Sequence, residues 1–111
     1  MIPKSPRWEC KLLTNLAKHY PCMNCGADRG TTVSAHANSG EYGKGLGRKA
    51  DDCFIAFLCD DGCHRWLDSG TGMDPTGVYS DSREDKAEMW RRAHDRTLLA
   101  LFRDGKVRVA A

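Results

Sequence analysis

Two short stretches, Cys22-Met23-Asn24-Cys25-Gly26 and Cys59-Asp60-Asp61-Gly62-Cys63-His64, decide how this sequence folds. Cys25 and Cys59 are separated by 33 residues. Each sets two cysteines across a tight turn, and Gly26 can adopt the left-handed conformation that such a turn requires. Four thiolates presented two by two suit the tetrahedral coordination of zinc at about 2.3 Å. The spacing therefore predicts a structural Zn2+ site made of Cys22, Cys25, Cys59 and Cys63. A single CxxC would leave redox chemistry open, and the second pair argues against it. Four ordinary buried cysteines are the remaining alternative. Cys10 and Cys53 fall outside the pattern and read as small buried hydrophobes.

Outward from the first pair, residues 7 to 19 place Trp8, Leu12, Leu13, Leu16 and Ala17 at helical spacing, which predicts a short amphipathic packing helix stopped by Pro21. Between the pairs, Thr31 to His36 reads as a short strand, Asn38 to Asp52 as a glycine-rich loop with a basic edge, and Cys53 to Leu58 as a buried strand. His64 to Asp68 begins a short helix. Residues 68 to 81 form a connecting loop. A long helix over about 82 to 104 follows, capped by Ser82, with Glu84 and Asp85 in its first turn and Gly105 closing it. Its apolar stripe is Trp90, Ala93, Thr97, Leu98 and Leu101, with Glu88 and Arg92 paired four apart on the outer face. Val107 to Val109 is either a last strand or a frayed tail. The fold class expected is a small α+β domain, one unit over residues 1 to 111, with a zinc-stapled core at about 20 to 68 and a helix on each flank.

Composition bounds the rest. The chain has 111 residues, 41% hydrophobic and 29% charged, with a mean hydropathy of -0.57. A domain this size buries about two-thirds of its unfolded surface, so the core is modest and a metal staple is a substantial part of its stability. No apolar run approaches the roughly 18 residues of a membrane span. Nothing at the N-terminus reads as a secretion signal, so a reducing, cytoplasmic setting is expected, where cysteines serve metals or catalysis. The net charge of +2 is too small to announce a nucleic-acid partner by itself. Basic residues do cluster locally: Lys44, Arg48 and Lys49 on the glycine-rich loop that Asn38 opens, and Arg65 after the second cysteine pair. Such groups suit a phosphate backbone, with a merely solvated loop as the alternative.

His36 and His64 are the two histidines placed by the cysteine turns. One ends the first strand and the other follows Cys63, so stapling the strand-loop-strand-helix unit is expected to bring them toward one cleft. His19 and His94 lie in helices and read as surface or structural groups.

The set Cys22-x-x-Cys25, Ala35-His36, Asp52 before an apolar strand, and Cys59-Asp-Asp-Gly-Cys63-His64 resembles the HNH endonucleases, the zinc-stapled branch of the ββα-metal, treble-clef-like superfamily. More narrowly, AHANSGEYGKGLGRKADD followed by CFIAFL and a Cys-His pair is similar to small phage and prophage proteins of the YbcO-like type. The resemblance covers residues 8 to 68. It implies metal-dependent cleavage of DNA phosphodiester bonds in a bacterial host cell, in phage recombination or DNA processing, with phage or host recombination proteins as partners. It implies that His36 is the general base and that His64 is a ligand of a second divalent cation, Mg2+, Mn2+ or Zn2+. Asp52 falls at the middle position, which orients the base or assists the metal. Two departures stand out. The residue before His36, often a metal ligand in the family, is Ala35, and the second turn is one residue longer than CxxC. Either Asp52, Asp51 or Asn38 completes the metal site, or His36 is itself a ligand. The rival reading is a non-catalytic zinc module that binds DNA or RNA.

Overall fold

A computed structural model describes residues 6–38, 50–70 and 72–110. A four-residue helix, α1 (Lys11–Thr14), runs into a 3-10 turn (Asn15–His19), and two strands follow, β1 (Thr32–His36) and β2 (Ile55–Cys59). Two further helices complete the chain, α2 (Cys63–Ser69) and α3 (Arg83–Arg103). The strands pair antiparallel, with Thr32 opposite Cys59 and His36 opposite Ile55. The architecture is thus α+β, a two-stranded sheet with helices on both faces, as the cysteine spacing implied.

β2 is buried along its whole length, and its alternation divides the core. Ala56 and Leu58 turn with Ala35 toward Trp66 of α2 and Met89, Trp90 and Ala93 of α3. Ile55 and Phe57 turn the other way, toward Ala17, Tyr20 and Leu101. Burying a side chain such as Phe57 or Leu58 fully stabilises by about 1.5–3 kcal/mol, so these few residues carry much of the fold.

A hairpin of two strands leaves two edges, and α3 closes the one on β2. The Phe57 amide donates to Thr97 Oγ1 at 3.0 Å, and the Ile55 carbonyl accepts from His94 Nδ1 at 2.6 Å. The Met23 amide donates to the Phe57 carbonyl at 2.7 Å. An unpaired strand edge is a template for aggregation, and here its polar groups are used up within the chain. His94, stacked flat on Trp90 with ring centroids 4.9 Å apart, is the structural histidine expected of it.

α3 begins as the sequence indicated. The Ser82 side chain accepts from the Asp85 amide, Glu84 and Asp85 occupy the first turn, and Gly105 takes a φ of +70° beyond the last turn. Its buried stripe includes Met89 and His94 besides Trp90, Ala93, Thr97 and Leu101, while Leu98 is only half-buried. Arg92 reaches Glu88 at 2.8 Å on the exposed side.

Two boundaries differ from expectation. The helix expected over 7 to 19 is confined to Lys11 onward, because residues 7 to 10 are extended and bonded to the chain before β2. The Trp8 amide donates to Asp51 Oδ1, its carbonyl accepts from the Asp52 amide, and Trp8 is 49% exposed rather than packed. The second strand begins at Ile55, two residues later than Cys53, because the Phe54 amide closes a turn onto the Asp51 carbonyl. No strand forms over 107 to 109, where Val109 is exposed. Cys10 and Cys53 are half-buried, not core residues. Among the described residues, no helix is long and apolar enough to cross a membrane.

Candidate metal centre and histidine sites

The four cysteines of the two turns converge. Their Sγ atoms all lie within 4.8 Å of one another, with Cys22, Cys59 and Cys63 buried and Cys25 half-buried. Cys59 closes β2 and Cys63 opens α2, so the second pair spans a strand-to-helix turn. The Cys25 and Cys59 sulfurs are 3.7 Å apart. A tetrahedron with arms of about 2.3 Å has edges of about 3.8 Å, so this separation matches a zinc-sized ion at the centre. Three N–H groups point at the sulfurs: Cys25 N at Cys22 (3.5 Å), Cys63 N at Cys59 (3.3 Å) and Asn24 Nδ2 at Cys63 (3.2 Å). Donors of this kind spread the negative charge of bound thiolates and fix their directions.

Without a cation the cluster shares its protons unequally. A hydrogen bond from Cys63 pulls the Cys22 thiol down to about 4, whereas burial pushes Cys59 up to about 11. A dication among them would deprotonate all four. The turn is also sterically tight. A Cβ at Gly62 would lie 3.2 Å from Cys59 Sγ and 3.3 Å from Pro75 Cγ, so a side chain there would press on the sulfur and the proline ring by a few tenths of an ångström.

Asn24 has a second engagement that the sequence did not announce. The same Nδ2 donates to Asp74 Oδ1 at 2.9 Å. Asp74 is buried, and its carboxylate also accepts from the amides of Thr76, Val78 and Tyr79. Burial would raise this carboxyl, but those donors outweigh it and hold the pKa below the usual range. One aspartate therefore organises the loop before α3 and ties it to the cysteine cluster.

His36 meets Asp52, as the middle position of the resemblance suggested. His36 Nε2 lies 2.8 Å from Asp52 Oδ1. Arg7 Nη2 donates to the same oxygen at 2.7 Å, and the Cys10 amide donates to Oδ2 at 2.7 Å. Asp52 is 5% exposed. Burial pushes its carboxyl up, yet the hydrogen bonds from His36 and Cys10 and the Arg7 charge keep the pKa below the ordinary value. An ionised carboxylate only accepts, so Nε2 carries the proton of this bond. His36 Nδ1 has no hydrogen-bond partner among the described residues. With three donors on its two oxygens, Asp52 is arranged to orient the imidazole rather than to ligate a metal.

His64, in the first turn of α2, sits between two carboxylates. Nδ1 is 3.0 Å from Asp60 Oδ1 and Nε2 is 2.8 Å from Asp68 Oδ2. The Asp68 bond raises its pKa, burial opposes that, and Asp60 adds to the rise, leaving it at about 9. The ring is therefore an imidazolium at neutral pH, and a cation would have to displace a proton to use it. Asn38 Nδ2 approaches Asp68 Oδ1 at a long 3.4 Å, a link from the end of β1 to this helix.

The two histidines do not share a contact. Strand alternation turns His36 to the face of Ile55 and Phe57, covered by the N-terminal segment, whereas α2 packs through Trp66 on the opposite face. Among the described residues no hydrogen bond or ion pair joins them. Ala35 is 2% exposed within the layer of Trp66 and Trp90, which explains why no carboxylate stands there: it would be buried in the apolar core. Asp51 accepts from the Trp8 amide and lies on the N-terminal side. Lys44, Arg48 and Lys49 lie outside the described residues. Arg65 is exposed and lines an open groove of about 270 Å³ with Thr31, Asp60 and Asp61, and Arg29 pairs with Asp61 through two nitrogens.

Arg7, Asn24 and Asp74 had no signal in the sequence reading, since each acts through a partner 39 or more residues away. Comparison with known proteins finds no matching family model, no matching curated protein and no matching solved structure, so the functional reading rests on the geometry of these residues.

Proposed function

We propose that the protein is a metal-dependent nuclease of the HNH type that hydrolyses DNA phosphodiester bonds, with Zn2+ in the four-cysteine centre as a structural ion. The observation that carries this reading is the His36–Asp52 pair, in which Nε2 is held at 2.8 Å and Nδ1 has no hydrogen-bond partner among the described residues. An imidazole so held can act as a general base, taking a proton from water that attacks phosphorus. Asp52 fixes the ring and stabilises the imidazolium that forms, as a buried carboxylate does for a base histidine. A second divalent cation would supply charge to the phosphate and the leaving oxygen. His64 with Asp60 or Asp68 are the donors that would hold it. Phage or host recombination proteins and a bacterial cytoplasm remain part of the proposal through the resemblance alone.

The zinc-stabilised module that binds nucleic acid without cutting it is the second reading. The engagement of both His64 ring nitrogens by carboxylates favours it. Incubating the zinc-loaded protein with supercoiled plasmid and Mg2+, Mn2+ or Zn2+ decides between them. Nicking is expected, and His36→Ala should abolish it while metal content and fold persist. Undiminished nicking by that variant would remove His36 from the mechanism, and binding without nicking would favour the second reading.

A further inference from the structure

The extended N-terminal residues close over the pair just described. Every nitrogen of the Arg7 guanidinium has a partner: Nε donates to the Ala50 carbonyl at 3.2 Å, Nη1 to Glu9 at 2.7 Å and Nη2 to Asp52 Oδ1 at 2.7 Å. The Cys10 amide holds the other Asp52 oxygen, and the backbone of Trp8 is bonded to residues 51 and 52. A carboxylate pinned at both oxygens cannot rotate about its Cβ–Cγ bond. Its Oδ1 therefore points along one direction, and that direction leads to His36 Nε2.

We propose that Arg7 is a positioning residue for His36, acting through Asp52 from an N-terminal strap that completes the site. The guanidinium is suited to this because its planar fork meets the Ala50 carbonyl and Asp52 together, whereas an ammonium offers a point contact. Three of its five N–H groups, one on each nitrogen, are engaged by groups of the protein itself. By fixing Asp52, it keeps the imidazole proton on Nε2 and the lone pair on Nδ1. The proton His36 moves rests on the nuclease reading; the orientation of the ring does not.

The test uses the full chain loaded with zinc. Long-range proton–nitrogen correlation spectra at pH 8 report which imidazole nitrogen of His36 carries the proton. The native protein should show the Nε2–H form, and Arg7→Gln should lower the ratio of Nε2–H to Nδ1–H by about threefold or more, with Arg7→Lys between the two. Plasmid nicking should lose kcat in Arg7→Gln with KM for DNA unchanged. A native tautomer ratio in folded Arg7→Gln overturns the proposal, whether or not the protein cuts DNA. If Arg7→Gln fails to fold, a native ratio in Arg7→Lys does the same. On the unmodified chain, the Arg7 Nε–H should exchange slowly, and free exchange overturns the clamp without any variant. Absence of nicking by the native protein would sink the nuclease reading and leave the tautomer ratio to decide the role of Arg7.

Discussion

Replacing Asp52 by asparagine tests how much the strap and the histidine are worth together. The native carboxylate accepts three hydrogen bonds at 2.7 to 2.8 Å, two of them from groups that are or can become cationic. An amide has one acceptor and one donor end. Whichever way it is placed, its NH2 faces either the Cys10 amide or the pair Arg7 and His36, so at least one contact becomes donor against donor. Removing one partner of a charge-assisted hydrogen bond costs about 1.5–3 kcal/mol. The figure should lie toward the lower part of that range per contact, because the Arg7 and His36 side chains are 23% and 24% exposed and solvent screens them. With two contacts affected, Asp52→Asn should lose about 2–3 kcal/mol at pH 7, lowering the urea midpoint by about 1–2 M.

The effect has a defined pH dependence. The folded-state pKa of Asp52 is depressed. A depressed carboxylate contributes stability that is fully present above its unfolded value, about 3.9, and is lost as pH falls through the folded value. The difference between native protein and Asp52→Asn should therefore shrink as pH falls below about 4. Urea unfolding of both zinc-loaded proteins across neutral and acid pH measures it, since protonation of the cysteines acts on both alike. A loss under about 1 kcal/mol at pH 7, or a difference that does not shrink in acid, would refute the account of Asp52 as a fixed, ionised anchor.

Two further outcomes are expected. The purified chain should carry about one tightly bound zinc, and a strong chelator or Cys63→Ser should remove metal and cooperative unfolding together; a folded, metal-free protein by near-ultraviolet dichroism would contradict the structural role of the centre. Thr97→Val should lose about 1–3 kcal/mol despite its similar shape, because it orphans the buried Phe57 amide that now donates at 3.0 Å. A neutral result in calorimetry would show that this amide finds another acceptor.

What the sequence made legible follows a physical line. The cysteine turns, the apolar run of β2 and the cap of α3 are local features, and each lies close to where the residues indicated. The pairing of His36 with Asp52 was reachable only through the family resemblance, since the two are 16 positions apart in the sequence. The N-terminal residues were misread because periodicity records which side chains are apolar. It does not record that the Cys10 amide has an acceptor 42 residues away. That distant bond stops the helix at Lys11 and exposes Trp8. Asp74 was not indicated either: in a loop of glycines and hydroxyl residues, an aspartate that gathers the amides of its own loop looks like any solvated one.

The sealing of β2 by α3 also sets an order of events during synthesis. All four cysteines have been made by residue 63, so the metal centre can gather while the chain is still being extended. The Phe57 amide and the Ile55 carbonyl, however, wait for Thr97 and His94, more than 30 residues later. Until then the nascent hairpin carries a bare edge beside its apolar strand, and domains caught in such partly built states are prone to associate. The helix that emerges after both cysteine turns is the one that makes the sheet safe from its neighbours.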